Sequence, residues 1–280
     1  MSKKIIYIKK ADGSKEIFNR GKLGVSLKKA GASIIVVNEI TNKIEKRIKS
    51  SWTTFDIYKL AFQLLHKIGG KSAVLYSLRR SILSLGPTGF PFEKYVAKIL
   101  ETKQYKTKTG VMLSGRCIDH EVDVMAYNDD DLILAEVKFH NDLGIKSDTK
   151  TALYIKARFD DLKGQKFLVG GQKREMTSGI IVTNTKFTTN AKKYAKCSGV
   201  GLISWDHPEN GNLYNLIESS GIFPLICVVS LSKKDKETLI SQGFFNCNDI
   251  QKDLGLLKEL GISDSKIRKV KKEVELICSG

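Results

Sequence analysis

The sequence lacks paired cysteines. Its five, Cys117, Cys197, Cys227, Cys247 and Cys278, are odd in number and widely spread. None stands at the C-x2-C spacing of a metal ribbon, which excludes a zinc ribbon and argues against a disulfide framework. Long apolar runs are missing too: none approaches the roughly 18 residues of a membrane helix, and no charged, apolar leader opens the chain. The expectation is a protein of the reducing cytoplasm with no membrane partner. No internal repeat, low-complexity tract or long linker is visible. Acidic charge is also scarce, with 30 Asp and Glu against 47 Lys and Arg, a net +17. Such an excess favours polyanions, DNA among them, through counterion release. Ribosomal and membrane-surface proteins are as basic, so charge alone selects no class. With 280 residues, 41% of them hydrophobic, the chain is long enough for more than one packed domain.

What is present is concentrated in GRCIDHEVDVMAYNDDDLILAEVKFHN, residues 115–141. VDVMAY and LILAEVKF read as strands joined by a turn at 128–131. A period of two puts Glu121 and Asp123 on one face of the first strand, and Glu136 and Lys138 on one face of the second. At an effective dielectric near 20, two such carboxylates about 4 Å apart repel by roughly 4 kcal/mol, so a cation or a proton belongs between them. An oxygen-liking divalent ion, Mg²⁺ or Mn²⁺, meets that need, and a lysine beside it suits a phosphate-cleaving site. Taken alone, a D…ExK match is short and common and is better read as an ordinary hairpin with its charges in water. The surrounding order decides against that. A helix is expected near Pro91, with Phe92, Val96, Ile99 and Leu100 as its stripe and Glu93 in its first turn. Then come a strand, the hairpin, an amphipathic helix, a buried strand at 180–183, a helix at 188–197 and a strand ending at Trp205.

On GFPFEKYVA, HEVDV, AEVK and FTTNAKKYA…GLISW, residues 88–218 resemble the PD-(D/E)xK nucleases, and within them the Mrr-like restriction endonucleases. The resemblance implies that Asp123 and Glu136 ligate the metal, with the Val137 carbonyl as a further oxygen. It gives Lys138 the task of orienting or deprotonating the attacking water, and Glu93 that of holding a metal-bound water. The proline that the family name promises before the aspartate is Val122 here. In the amphipathic helix, Tyr154, Arg158 and Asp161 share a face, which reads first as a surface salt bridge, with a phosphate contact by Lys156 or Arg158 as the alternative. His120 flanks Glu121 on the opposite side of its strand and is expected to be a packed or exposed imidazole.

Before this region, IIYIKKADGSKEIFNRGKL reads as a β-hairpin turned at Asp12-Gly13, with helices from about Arg20 and near 38–49, 54–68 and 71–84. IKKADGSKEIFNRGKL, WTTFDIYKLAFQLL and SAVLYSLRRSI resemble an ATP-cone, the nucleotide-sensing module of ribonucleotide reductases. That resemblance implies ATP or dATP as a ligand, with Lys9, Lys10 and Lys22 on its phosphates and Thr54 and Tyr58 lining the pocket. The family's Lys-Arg-Asp-Gly is Lys10-Ala11-Asp12-Gly13 here, and the plain reading of these lysines is a solvated basic edge. The last sixty residues read as three or four short helices broken at Gly243 and Gly261. After Ser263, Ile267 and Val270 form a stripe, with Lys266, Arg268, Lys269, Lys271 and Lys272 around it. This segment resembles half of a helix-hairpin-helix, implying contacts to a DNA backbone; a small bundle with a solvated basic face is the alternative.

The expectation is an α/β (α+β) protein of three parts: a cone at 1–86, a mixed-sheet restriction-endonuclease-like domain at 87–220 and a helical module at 221–280. Its function would be metal-dependent DNA cleavage under nucleotide control. A cut in both strands needs two sites, hence a homodimer or higher assembly. The alternative is a nucleotide-gated DNA-binding protein without nuclease activity.

Overall fold

Capping residues and apolar periodicity lay down the elements of the computed structural model, which describes residues 5–10, 13–68, 71–85 and 89–278. Two units divide the chain, residues 1–79 and 80–280. In the first, β1 (Tyr7–Lys9) and β2 (Lys15–Ile17) form an antiparallel hairpin with Tyr7 opposite Ile17. Asp12 of the expected turn lies outside the described residues, as do 86–88 around the expected boundary between residues 86 and 87. Helix α1 (Arg20–Lys29) starts at Asn19, whose side chain accepts from the Lys22 N–H at 3.0 Å. Helix α2 (Ile34–Arg47) begins four residues before the expected position because Ser33 caps it. Its first residues, Ile34 and Ile35, are exposed, so the apolar stripe does not reveal that turn. Helices α3 (Thr54–Ile68) and α4 (Lys71–Leu83) follow. Leu27, Ile40, Ile44, Ala61 and Leu65 make the fully buried centre of this unit.

The second unit opens on α5 (Phe90–Glu101), whose Pro91 stands in the first turn, where a missing N–H costs nothing. A five-stranded sheet follows, built from β3 (Lys106–Ser114), β4 (Asp119–Tyr127) and β5 (Leu132–Lys138). The chain continues through β6 (Lys146–Ser147), α6 (Thr149–Leu162), β7 (Lys166–Val169), β8 (Gln172–Glu175) and β9 (Ser178–Thr183). Then come β10 (Lys186–Phe187), α7 (Thr189–Ser198) and β11 (Gly201–Ile203). Strand order is β11-β9-β5-β4-β3: antiparallel from β3 to β5, parallel from β5 to β11. The fold is the mixed α/β architecture that the sequence implies. Asn128 closes the β4–β5 turn, its side chain accepting from the N–H groups of Asp130 and Asp131 at 3.0 and 2.8 Å. Helices α6 and α7 cover one face, burying Ile155, Phe159 and Ala191 with Val122, Met125, Leu134 and Ile181. Gly179 permits this closeness, since a Cβ there would sit 2.4 Å from the Phe159 ring. The β7–β8 hairpin is absent from the expected order. It turns on Gly170 and Gly171, both at positive φ, and only Phe167 and Val169 bury apolar surface, so its polar remainder hides the period of two.

Helix α8 (Leu213–Ser220) leads to the last four helices: α9 (Lys233–Ser241), α10 (Cys247–Lys252), α11 (Gly255–Glu259) and α12 (Asp264–Cys278). Helices α9 and α11 end alike. Gly243 and Gly261 take positive φ, and the next N–H, from Phe244 or Ile262, returns to the carbonyl of buried Leu239 or Leu257 at 3.0 Å. Tyr95 of α5 ties this end to the sheet, its hydroxyl donating to the Ile222 carbonyl at 2.6 Å. Among the described residues, no helix is long and apolar enough to cross a membrane.

Candidate active site

The β4–β5 ladder runs from Tyr127 opposite Leu132 to Val124 opposite Ala135 and stops there. Asp123 and Glu136 are the next residues, just past the last pair. On the other side, Gly110 of β3 faces Asp123 at φ 61° and also drops out of its ladder. Asp123 thus stands where the sheet opens on both sides, and its Oδ2 accepts the Val137 N–H at 2.7 Å in place of a strand carbonyl. In an extended strand, a residue's N–H and C=O point to the same edge, so the Val137 carbonyl opens toward the same gap.

Glu136 is 4% exposed. A carboxylate so buried must be paired, and two cations reach it. Lys138 Nζ donates to Oε1 at 2.6 Å and Arg158 Nη1 to Oε2 at 2.8 Å. Arg158 also donates through Nη2 to the Glu121 carbonyl and lies over the Tyr154 ring, 5.7 Å from its centroid. The expected surface salt bridge of Arg158 is therefore replaced by a buried one inside the site. Burial and the neighbouring Glu136 push the Asp123 carboxyl above its usual range, against the pull of the Val137 N–H, Lys138 and Arg158. Glu93, brought in by α5, is raised by burial and then by Asp123, Glu121 and Glu136, with Lys138 opposing. Four carboxylates share one field here, and Lys138 and Arg158 oppose it.

Among the described residues, no three His, Cys, Asp or Glu side chains gather at metal-binding distance. The donor set on offer is two carboxylates and a carbonyl, all hard oxygens that fit Mg²⁺ or Mn²⁺. Asp123 Oδ1 takes no hydrogen bond among the described residues, which leaves that oxygen open to an ion. Each Glu136 oxygen accepts from one cation and keeps a second lone pair open to an ion.

Residues unmarked in the sequence brace the site. Asn184, 1% exposed, accepts the His140 N–H at 2.9 Å and donates to the His140 carbonyl at 2.8 Å. Thr183 Oγ1 donates to the Lys138 carbonyl at 2.7 Å. His140 Nε2 lies 3.1 Å from Ser147 Oγ, and burial and Lys138 lower its pKa. Their one trace in the sequence is the polar Thr183-Asn184-Thr185 that ends an apolar strand. His120 is buried as expected, with Nε2 2.9 Å from Asp161 Oδ2. Asp161 also accepts the N–H groups of Cys117 and Ile118, at 2.9 and 3.2 Å. These bonds, led by Cys117 and His120, hold its carboxyl down at about 2. Asp161 thus fastens the β3–β4 turn instead of joining Arg158, and Lys156 is spent on Asp160 of its own helix.

In the first unit, Lys9 lines a cleft of about 530 Å³ with Tyr7, Ile8, Lys15 and Ser50. Its N–H donates to the Trp52 carbonyl at 3.0 Å, beside Thr54 at the start of α3. Lys10 and Lys22 converge on Glu16, each at 3.3 Å. Tyr58 stacks with Tyr76 at 5.4 Å and with Phe55 and Phe62 at 6.1 and 6.2 Å. At the other end of the chain, Lys266 pairs with Asp235, while Arg268, Lys269, Lys271 and Lys272 are exposed.

Two family models match the chain: a restriction endonuclease family of the Mrr catalytic type over residues 87–209, and an AF1548-like C-terminal family over 223–278. An uncharacterized protein of Archaeoglobus fulgidus is 35% identical over 183 residues, which cover 65% of this chain and 99% of the relative. The crystal structure of AF1548, a protein of unknown function, aligns at 34% identity and TM-score 0.54 over 69% of this chain and 100% of its own. MspJI restriction endonuclease, solved with a 27-mer oligonucleotide, aligns at 16% identity and TM-score 0.32 over 61% of this chain and 39% of its own, too faint to carry weight. With a relative at 35% identity covered end to end, the chain belongs to the AF1548-like proteins and carries a restriction-endonuclease-family domain at 87–209.

Proposed function

We propose that the second unit is a metal-dependent DNA endonuclease. The observation that carries this reading is the meeting of Asp123, Glu136 and Lys138 where the β4–β5 ladder opens. Asp123, Glu136 and the Val137 carbonyl would hold Mg²⁺ or Mn²⁺, which when bound polarises a phosphodiester and acidifies water. Lys138, its side chain 34% exposed, turns from Glu136 toward the opening, where its remaining N–H groups orient a water and offset charge growing on the phosphate. Glu93, its carboxyl raised by burial and by Asp123, would hold a metal-bound water beside Asp123 and Glu136. Arg158 fixes the rotamer of Glu136 and adds positive charge beside the path of the scissile phosphate.

Nucleotide control belongs to the same proposal. ATP or dATP on Lys9, Lys10, Lys22, Thr54 and Tyr58 would act by binding one state of the protein better than another. The cleft at Lys9 and the pair of lysines sharing Glu16 support an anion there, since a phosphate would relieve two cations that divide one carboxylate. Cleavage of both strands would use a homodimer. The reading of a DNA-binding protein without nuclease activity has one observation in its favour: Lys138 and Arg158 already neutralise Glu136. Plasmid incubated with the protein in Mg²⁺, Mn²⁺ or EDTA, with and without ATP, separates the two. Nicked or linear product that requires the ion is expected, together with its loss in Asp123→Ala and Lys138→Ala at unchanged circular dichroism. Undiminished cutting by either variant overturns the assignment, and a mobility shift without any cut favours the alternative.

A further inference from the structure

Helix α12 has two unlike faces. Val270, Val274 and Ile277 are buried, and the helix packs on α10 and α11. Arg268, Lys269, Lys271 and Lys272 are exposed and line a cleft of about 520 Å³ with Ser265 and Glu275. Two other charges of the helix are already used. Lys266 braces α9 through Asp235, and Glu273 accepts the backbone N–H groups of Val229 and Ser230 at 2.5 and 2.8 Å. None of the four exposed cations has an ion-pair partner among the described residues. Arg268 stands three and four residues before Lys271 and Lys272, and Lys269 three before Lys272, spacings at which like charges on a helix repel. Glu275, four residues after Lys271 and three after Lys272, offsets part of that repulsion, and a row of phosphates would relieve the rest. From residue 268 to 272 the helix rises about 6 Å, close to two nucleotide steps of one DNA strand at about 3.4 Å each. Lysine and arginine in such a row meet a backbone, which positions a duplex without reading its bases.

We infer that α12 is a phosphate-backbone grip for double-stranded DNA, distinct from the carboxylate cluster of β4 and β5. The inference rests on the nuclease reading for its choice of polyanion, and it adds how the substrate is held. The full chain in EDTA, with a fluorescent duplex of about 30 base pairs titrated from about 50 to 300 mM salt, provides the test. In the quadruple variant R268A/K269A/K271A/K272A, the slope of log K against log salt becomes shallower by about two to three, as for two or three lost phosphates. Affinity at about 100 mM salt falls at least tenfold, to the same degree for unrelated sequences. The charge-conserving variant K269R/K271R/K272R keeps the parental slope. An unchanged slope in the quadruple variant overturns the grip. So does a loss confined to binding of phosphatidylserine vesicles, which would assign these cations to a membrane surface. Plasmid cutting with an unchanged slope defeats the grip alone; a chain that binds through these residues but never cuts defeats the nuclease reading and leaves the grip intact.

Discussion

Asp123 and Glu136 are acids in a place built for apolar side chains, and they are relieved differently. Glu136 has two cations at hydrogen-bond distance, whereas Asp123 has a backbone N–H and a pKa raised by burial and by Glu136. The stability consequence has a definite sign. A carboxyl whose native pKa lies above its unfolded value binds its proton more tightly when folded. Its contribution is therefore present at low pH and lost as pH rises through the raised value. Asp123→Asn removes that loss. In EDTA the variant is expected to melt higher than the wild type at pH 7, with the difference vanishing below about pH 4. Equal melting temperatures across that range would place Asp123 in contact with water rather than in a desolvated gap. The positions Asp123, Glu136 and Lys138 were legible because charged side chains interrupt apolar strands at fixed spacing. Arg158 was legible only as one of several basic residues on a helix face, since its meeting with Glu136 joins residues 22 apart in sequence.

At the scale of elements, the end of β5 is held by its neighbour. Pairing with β9 continues through Lys138 opposite Thr183, and the next turn of chain is fastened by Asn184 on both main-chain groups of His140. Asn184→Ala leaves the half-buried N–H and carbonyl of His140 without this partner, a cost of up to about 1–3 kcal/mol. Because that strand end carries Lys138, the variant should lose turnover more than DNA affinity, measured by single-turnover cleavage beside a binding isotherm. Loss of affinity alone would mean that Asn184 serves the surface and not the lysine. Helices α3 and α5 were plain from their stripes and first-turn residues, while α2 began earlier than its stripe, on a serine followed by two exposed isoleucines. The β7–β8 hairpin was hidden because its polar residues outnumber the two that reach the core.

For the whole molecule, an ion that binds the folded chain and not the unfolded one stabilises it by mass action, about 2.7 kcal/mol at a hundred times its dissociation constant. Mg²⁺ or Mn²⁺ is therefore expected to raise the melting temperature of the wild type and to leave Asp123→Asn unmoved. A shift of equal size in both would put the ion elsewhere. The net charge of +17 is a property of composition, and it predisposes the chain to polyanions wherever its cations fall. What the sequence determined by itself was the class of fold and the residue types that meet where the ladder opens, because periodicity and side-chain type are local properties. Tertiary structure alone decided which cations are spent and which stay available. Lys266 closes an ion pair with Asp235 and Arg158 turns inward to Glu136, while Arg268, Lys269, Lys271 and Lys272 stay exposed, since these charges find their partners through space and not along the chain.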